Sequence, residues 1–242
     1  MLSLTINGRK VQAEPGQYVL NVARESGIEI PTLCNHESLE PYGACRLCLV
    51  EVTPKGRNRS RLVVSCAYPA EEGLDVRTDT PRVIENRKMV LELLLARCSE
   101  NKVIKEMAAK YGIQKSSFNE NYLEQNDCIL CGQCARVCNE IVGVSAISLV
   151  NRGVTKWAAS PFFEPAPDCI GCGSCFYVCP TGAIKMEEKD GVRKLFNWKR
   201  EFKLLQCESC GNYWIPDAQV EYMMKKAKLP RDFFKVCINC RK

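Results

Sequence analysis

Hydrophobic and polar positions alternate at the start of the chain, with Leu2, Leu4 and Ile6 on one side of a strand. Asn7-Gly8 is a two-residue hairpin signal, and the chain returns through Val11. Pro15-Gly16 turns it again, and Val19, Val22 and Ala23 predict a short helix stopped at Ser26-Gly27. Residues 28–34 run extended into the first cysteine, and the basic stretch 54–60 reads as a solvated turn between two strands. From Thr80-Pro81 the period becomes helical. Thr80 suits an N-cap and Pro81 the first helical position, and Ile84, Leu91, Leu94, Leu95 and Cys98 fall on one face. Ser99 suits the cap of a second helix, with Val103, Ile104, Met107, Ala108 and Tyr111 inward and Gly112 at its end. Residues 113–126 are polar and read as a loop. Later, Ala146-Ile147 and Ala183-Ile184 read as short apolar strands, residues 150–163 as further strands, and residues 182–186 as a strand ending near Asp190-Gly191. Asp217 suits the cap of a last helix through Val220, Met223, Met224 and Ala227, ended before Pro230.

The cysteines change this picture most. Of 17 in 242 residues, eight form two C-x2-C-x2-C-x3-C runs, Cys128/Cys131/Cys134/Cys138 and Cys169/Cys172/Cys175/Cys179, with 30 residues between them. That run holds a [4Fe–4S] cluster in bacterial ferredoxins, where the fourth cysteine serves the other cluster. One cluster is therefore expected on Cys128, Cys131, Cys134 and Cys179, the other on Cys169, Cys172, Cys175 and Cys138. Gly132, Gly171 and Gly173 suit the tight loops, and each fourth cysteine is expected to open a helix. In the tail, Cys207/Cys210 and Cys237/Cys240 are two C-x2-C knuckles with 26 residues between them. Paired knuckles read as a tetrahedral zinc site with four cysteine ligands, with rubredoxin-like iron as the alternative.

Compartment and charge follow from the cysteines. No charged-then-apolar leader and no run of apolar residues long enough to span a bilayer is present in the sequence, so a cytoplasmic protein without a direct membrane span is expected. There clustered thiols mean metal rather than disulfides. The formal charge of +6 invites a nucleic-acid reading. Four filled sites at roughly −2 each shift the holo-protein by about −8, to near −2. The basic residues are then counter-charge to the metals, and nothing supports a nucleic-acid partner.

Four of the five remaining cysteines, Cys34, Cys45, Cys48 and Cys66, follow C-x10-C-x2-C-x17-C, a longer first gap than in plant-type [2Fe–2S] ferredoxins. Hairpin, helix and cysteine loop together suggest a β-grasp ferredoxin. Pro31-Thr-Leu-Cys34-Asn-His36, followed by Gly43-Ala-Cys45-Arg-Leu-Cys48-Leu-Val-Glu51, resembles the N-terminal [2Fe–2S] domain of the large iron–sulfur subunit of complex I. The same domain occurs in the iron–sulfur subunits of NAD(P)-linked and electron-bifurcating hydrogenases and of related formate dehydrogenases. The chain departs from the complex I pattern at residues 80–126. These contain one cysteine, Cys98, and no histidine, so the family's cluster with one histidine and three cysteine ligands is absent. Cys98 reads as an ordinary buried cysteine, and His36, the sole histidine, as a packing or surface residue beside the four ligands.

The reading is a modular α+β protein. It comprises a [2Fe–2S] β-grasp domain (1–78), a helical connector (79–125), a two-[4Fe–4S] ferredoxin-like domain (126–200) and a zinc-ribbon-like module (201–242). The expected cofactors are one [2Fe–2S], two [4Fe–4S] and one Zn. No G-x-G-x-x-G, P-loop or C-x-x-C-H motif is present, and no spare cysteines remain for a catalytic metal. The resemblance implies an electron-transfer subunit of a hetero-oligomeric NAD(P)-linked oxidoreductase, with a flavin- and NADH-binding partner and a second catalytic subunit. A hydrogenase, including electron-bifurcating forms, comes first and a formate dehydrogenase next. The rival of another class is an iron–sulfur redox sensor or interaction protein.

Overall fold

Asn7 and Gly8 both take positive φ, 52° and 79°, the type I′ geometry that joins β1 (Leu2–Ile6) to β2 (Arg9–Ala13) as an antiparallel hairpin. The computed structural model describes residues 1–118 and 127–241, which fall into two units, residues 1–131 and 132–242. The polar loop expected over 113–126 lies outside the described residues from 119 onward.

In the first unit the chain continues through α1 (Val19–Glu25), β3 (Leu49–Thr53), β4 (Arg61–Val64) and β5 (Asp75–Arg77). The sheet order is β2-β1-β5-β3-β4, with β1 and β5 parallel and the other pairs antiparallel. α1 contributes Val19, Leu20, Val22 and Ala23 to the core formed with Leu4, Ile6, Val50, Val52 and Val76. Full burial of one such aliphatic side chain contributes about 1.5–3 kcal/mol. This mixed sheet with its helix is the β-grasp arrangement.

Thr80 caps α2 (Pro81–Arg97): its hydroxyl accepts the Val83 N–H at 3.2 Å. The next helix, α3 (Lys102–Ala109), starts later than Ser99 suggested. Its cap is Asn101, which accepts the Ile104 N–H and also donates to Asp127 at 2.8 Å. Cys98, at the end of α2, is fully buried among Leu91, Leu95, Ile104 and Ala108. Burial pushes its thiol up to about 12, which keeps it a protonated and unreactive packing group.

The second unit opens on Gly132 at φ 77°, directly before α4 (Gln133–Arg136) and a π-helical turn, Val137–Val142. β6 (Ser148–Val150) and β7 (Trp157–Ala159) form a small hairpin. α5 (Ser174–Tyr177) repeats the glycine entry, with Gly173 at φ 78°. The fourth cysteines therefore do not open helices. Left-handed Gly132 and Gly173 end the loops two residues before the third cysteines, so Cys134 and Cys175 lie inside helices, Cys138 in the π turn, and Cys179 beyond α5, which Pro180 prevents from continuing. Ala146-Ile147 and Ala183-Ile184 are not strands either. Each apolar pair precedes one, β6 in the first repeat and β8 (Met186–Lys189) in the second.

β8 turns at Asp190-Gly191 into β9 (Val192–Leu195), followed by β10 (Arg200–Gln206) and β11 (Tyr213–Pro216), in an antiparallel sheet of order β11-β10-β9-β8. α6 (Asp217–Ala227) begins after Pro216, so Asp217 is its first residue rather than its cap. There its carboxylate suits the helix dipole and pairs with Arg231. Val220 packs with Ile215 and Phe234 in a small core of its own.

Candidate metal centres

The N-terminal set is assembled from three places in the first unit. Cys34 ends the extended run after α1, Cys45 and Cys48 sit in the loop before β3, and Cys66 lies in a 3-10 turn after β4. All four are buried. The Cys45 N–H donates to Cys34 Sγ at 3.2 Å, and the Leu33 N–H to Cys45 Sγ at 3.4 Å. Ser65 holds the far side, its backbone N–H and its hydroxyl both donating to the Cys48 carbonyl at 3.0 and 2.8 Å. Hydrogen bonding from Cys34 pushes Cys45 down to about 5 while Cys34 moves up. Hydrogen bonding from Cys66 pushes Cys48 down to about 7 while Cys66 moves up. Four converging sulfurs with preset amide donors fit a small anionic iron–sulfur group. His36 takes no part in this network: its Nδ1 accepts the Ser38 N–H at 3.2 Å.

In the second unit, Cys138, Cys169, Cys172 and Cys175 line one cavity together with Ala146, Ile147 and Trp198. The Ala146 N–H donates to Cys138 Sγ at 3.3 Å, and the Trp198 indole N–H to Cys175 Sγ at 3.3 Å. Burial pushes the Cys138 and Cys169 thiols up, and Cys175 up to about 12. Thiolates persist in such a cavity only against a bound cation, which fits iron. Sequence spacing does not single out Trp198; a tryptophan 19 residues beyond Cys179 carries no local signal. Trp198→Phe keeps an aromatic ring, though a smaller one, and removes the donor. The expected result is an intact centre whose one-electron midpoint is lower by roughly 30–60 mV, since a sulfur hydrogen bond strengthens by about 1 kcal/mol on reduction. An EPR-monitored potentiometric titration checks it.

Of the other expected cubane ligands, Cys128 and Cys131 belong to the first unit and Cys134 and Cys179 to the second. The Cys128 carbonyl accepts from Arg97 at 2.7 Å, and Cys179 Sγ lies 3.8 Å from the Thr181 hydroxyl.

The tail brings Cys207, Cys210, Cys237 and Cys240 together, all four sulfurs within 4.8 Å of one another. Tetrahedral ligands at the 2.3 Å zinc–sulfur distance lie about 3.8 Å apart, so the set fits one tetrahedral ion. The Cys237 N–H donates to Cys207 Sγ at 3.3 Å. Amides of Cys237 and Cys210 push Cys207 down to about 6, readying it as a thiolate.

Fold and sulfur geometry together define an iron–sulfur protein whose tail carries a four-cysteine group able to hold one metal ion. Matches to known families agree: residues 1–81 match the 2Fe-2S iron-sulfur cluster binding domain, and residues 122–186 and 168–212 match 4Fe-4S dicluster domains. Within that class, the chain's homologues are subunits of NAD(P)-linked complexes. It is 34% identical over 208 residues to a subunit of the NADH-quinone oxidoreductase of Rhizobium meliloti (strain 1021), covering 76% of this chain and 24% of that protein. It is 32% identical over 218 residues to a subunit of the NADP-reducing hydrogenase of Solidesulfovibrio fructosivorans, covering 78% of this chain and 36% of that protein. Thus the chain spans about a quarter to a third of the curated relatives it matches. Among solved structures, a chain of the NAD+-reducing [NiFe]-hydrogenase in the H2-reduced state matches with TM-score 0.65 and 27% identity, covering 75% of this chain and 85% of that one.

Proposed function

We propose that this chain is the electron-relay subunit of a cytoplasmic, hetero-oligomeric NAD(P)-linked hydrogenase, lying between a flavin- and NADH-binding subunit and a catalytic subunit. The observation that carries the reading is the density of sulfur sites. A four-cysteine set in the β-grasp unit and a four-cysteine cavity in the second unit each come with hydrogen bonds already aimed at sulfur. The relatives named above support the NAD(P) link and the hydrogenase assignment. Among the described residues no helix is long and apolar enough to cross a membrane, which suits a cytoplasmic complex.

We assign one [2Fe–2S] to Cys34, Cys45, Cys48 and Cys66, one [4Fe–4S] to Cys128, Cys131, Cys134 and Cys179, another to Cys138, Cys169, Cys172 and Cys175, and one Zn to the tail. When bound, the iron–sulfur groups supply one-electron oxidation and reduction. The protein's own part is to hold the sulfurs, aim N–H groups at them and keep water away. The zinc module serves docking to a neighbouring subunit.

The test is an anaerobic spectral titration of the holo-chain with NADH, first alone and then with an NADH-linked flavoprotein. No bleaching alone and rapid bleaching with the partner is the expected result. Bleaching by NADH alone means that the chain itself holds a nucleotide site. Failure with every such partner moves the protein to a ferredoxin-linked or sensory role.

A further inference from the structure

In the row Val83, Arg87, Leu91, Leu95 along the inner face of α2, the arginine is as buried as its apolar neighbours, at 5% exposure. A buried guanidinium is ordinarily paired with a carboxylate, because an unpaired charge away from water is costly. Arg87 forms no ion pair among the described residues. Its Nε donates to the Leu47 carbonyl at 3.1 Å, one terminal nitrogen to the Leu49 carbonyl at 2.6 Å, and the other to the Tyr111 hydroxyl at 3.4 Å.

Leu47 stands between Cys45 and Cys48 and works in two directions. Its N–H hydrogen-bonds to Cys45 Sγ, and its C=O goes to Arg87. A peptide that turns its N–H toward a sulfur leaves a carbonyl outside, and a buried carbonyl needs a donor. The second unit repeats this arrangement independently. Gly171, between Cys169 and Cys172, aims its N–H at Cys169 Sγ and gives its carbonyl to Arg193 at 2.8 Å. Arg193, however, is paired with Glu188 at 2.6 Å, so its charge is offset. Arg87 has only neutral partners. Among the described residues no carboxylate pairs with it, and an anionic group held by the cysteines on either side of Leu47 would supply the counter-charge.

We infer that Arg87 is a positioning residue of the N-terminal centre: it fixes the cysteine-loop peptides from outside and places an uncompensated positive charge behind them, raising the reduction potential. This rests on assigning a [2Fe–2S] group to Cys34, Cys45, Cys48 and Cys66. The charge favours whichever oxidation state is more negative, which is the reduced one.

The test is an EPR-monitored titration of the [2Fe–2S] signal in wild type, Arg87→Gln and Arg87→Lys holo-protein. Arg87→Gln keeps donors and removes charge. Its ratio of reduced to oxidised centre at a fixed potential is expected to fall about tenfold, a midpoint lower by 59 mV for one electron. Arg87→Lys keeps the charge and should stay within threefold of wild type. An unshifted Arg87→Gln, or an Arg87→Lys that falls as far as Arg87→Gln, overturns the inference. Should Arg87→Gln fail to load, Arg87→Lys decides alone: within threefold supports the charge, and a tenfold fall refutes it. Absence of any [2Fe–2S] signal in wild type refutes the cluster assignment itself, a result distinct from either of these.

Discussion

Cys138→Ser is expected to destroy or convert the centre held by Cys169, Cys172 and Cys175, although Cys138 belongs to the other sequence repeat. The reason is spatial. The π turn Val137–Val142 delivers Cys138 into the cavity lined by the first three cysteines of the second run. There its sulfur already accepts the Ala146 N–H at 3.3 Å. A serine oxygen in that cavity is a hard ligand on a short stem and leaves the site one thiolate short. Full loading of the assigned centres gives two plus four plus four, about 10 Fe per chain. Complete loss of one cubane leaves about 6, with the [2Fe–2S] signal and that of the centre on Cys128, Cys131 and Cys134 intact. Iron analysis with EPR of the single-cysteine variants is the measurement. Damage confined to the centre of the substituted run defeats the crossed assignment.

The second large effect is expected in the tail. Cys237→Ser should release about one Zn per chain and unfold the module around it. Its apolar core is small, with Ile215, Val220 and Phe234 buried and a few half-buried neighbours. Such a core does not hold a segment of this size without a staple, whereas a structural zinc site supplies about 10–16 kcal/mol. Cys237 is also the residue whose N–H reaches Cys207 Sγ, so it joins the two knuckles through backbone as well as sulfur. Hydrogen exchange should show lost protection over residues 207–241, while the iron–sulfur signals persist. A tail that keeps its protection without metal refutes the structural role, and about 11 Fe with no Zn in wild type makes the site rubredoxin-like.

The helical face of α2 shows where linear reading is incomplete. Periodicity selects Ile84, Leu91, Leu94, Leu95 and Cys98, and the buried set is Val83, Arg87, Leu91, Leu95 and Ala96, with Cys98 buried just past the helix. An arginine four residues from a valine and four from a leucine is a readable anomaly. A hydrophobic template passes over it because the template scores apolar residues only. The caps of α3 and α6 differ from expectation for a related reason. Ser99 and Asp217 are competent caps, but the chain leaves its turn two residues later in one case and one residue earlier in the other.

The class of protein is legible from the linear chain. Metal ligation depends on residue type and short spacing, so four cysteine groups, a hairpin marked by Asn7-Gly8 and glycines before Cys134 and Cys175 are legible one residue at a time. What surrounds the sulfurs emerges from folding alone. The indole of Trp198, the amides of Leu33 and Ala146 and the guanidiniums of Arg87 and Arg193 reach the sulfurs or the loops that carry them. Trp198 and the two arginines come from 22 to 40 residues away in the chain. Such hydrogen bonds require a distance near 3 Å, which folding sets and sequence spacing does not.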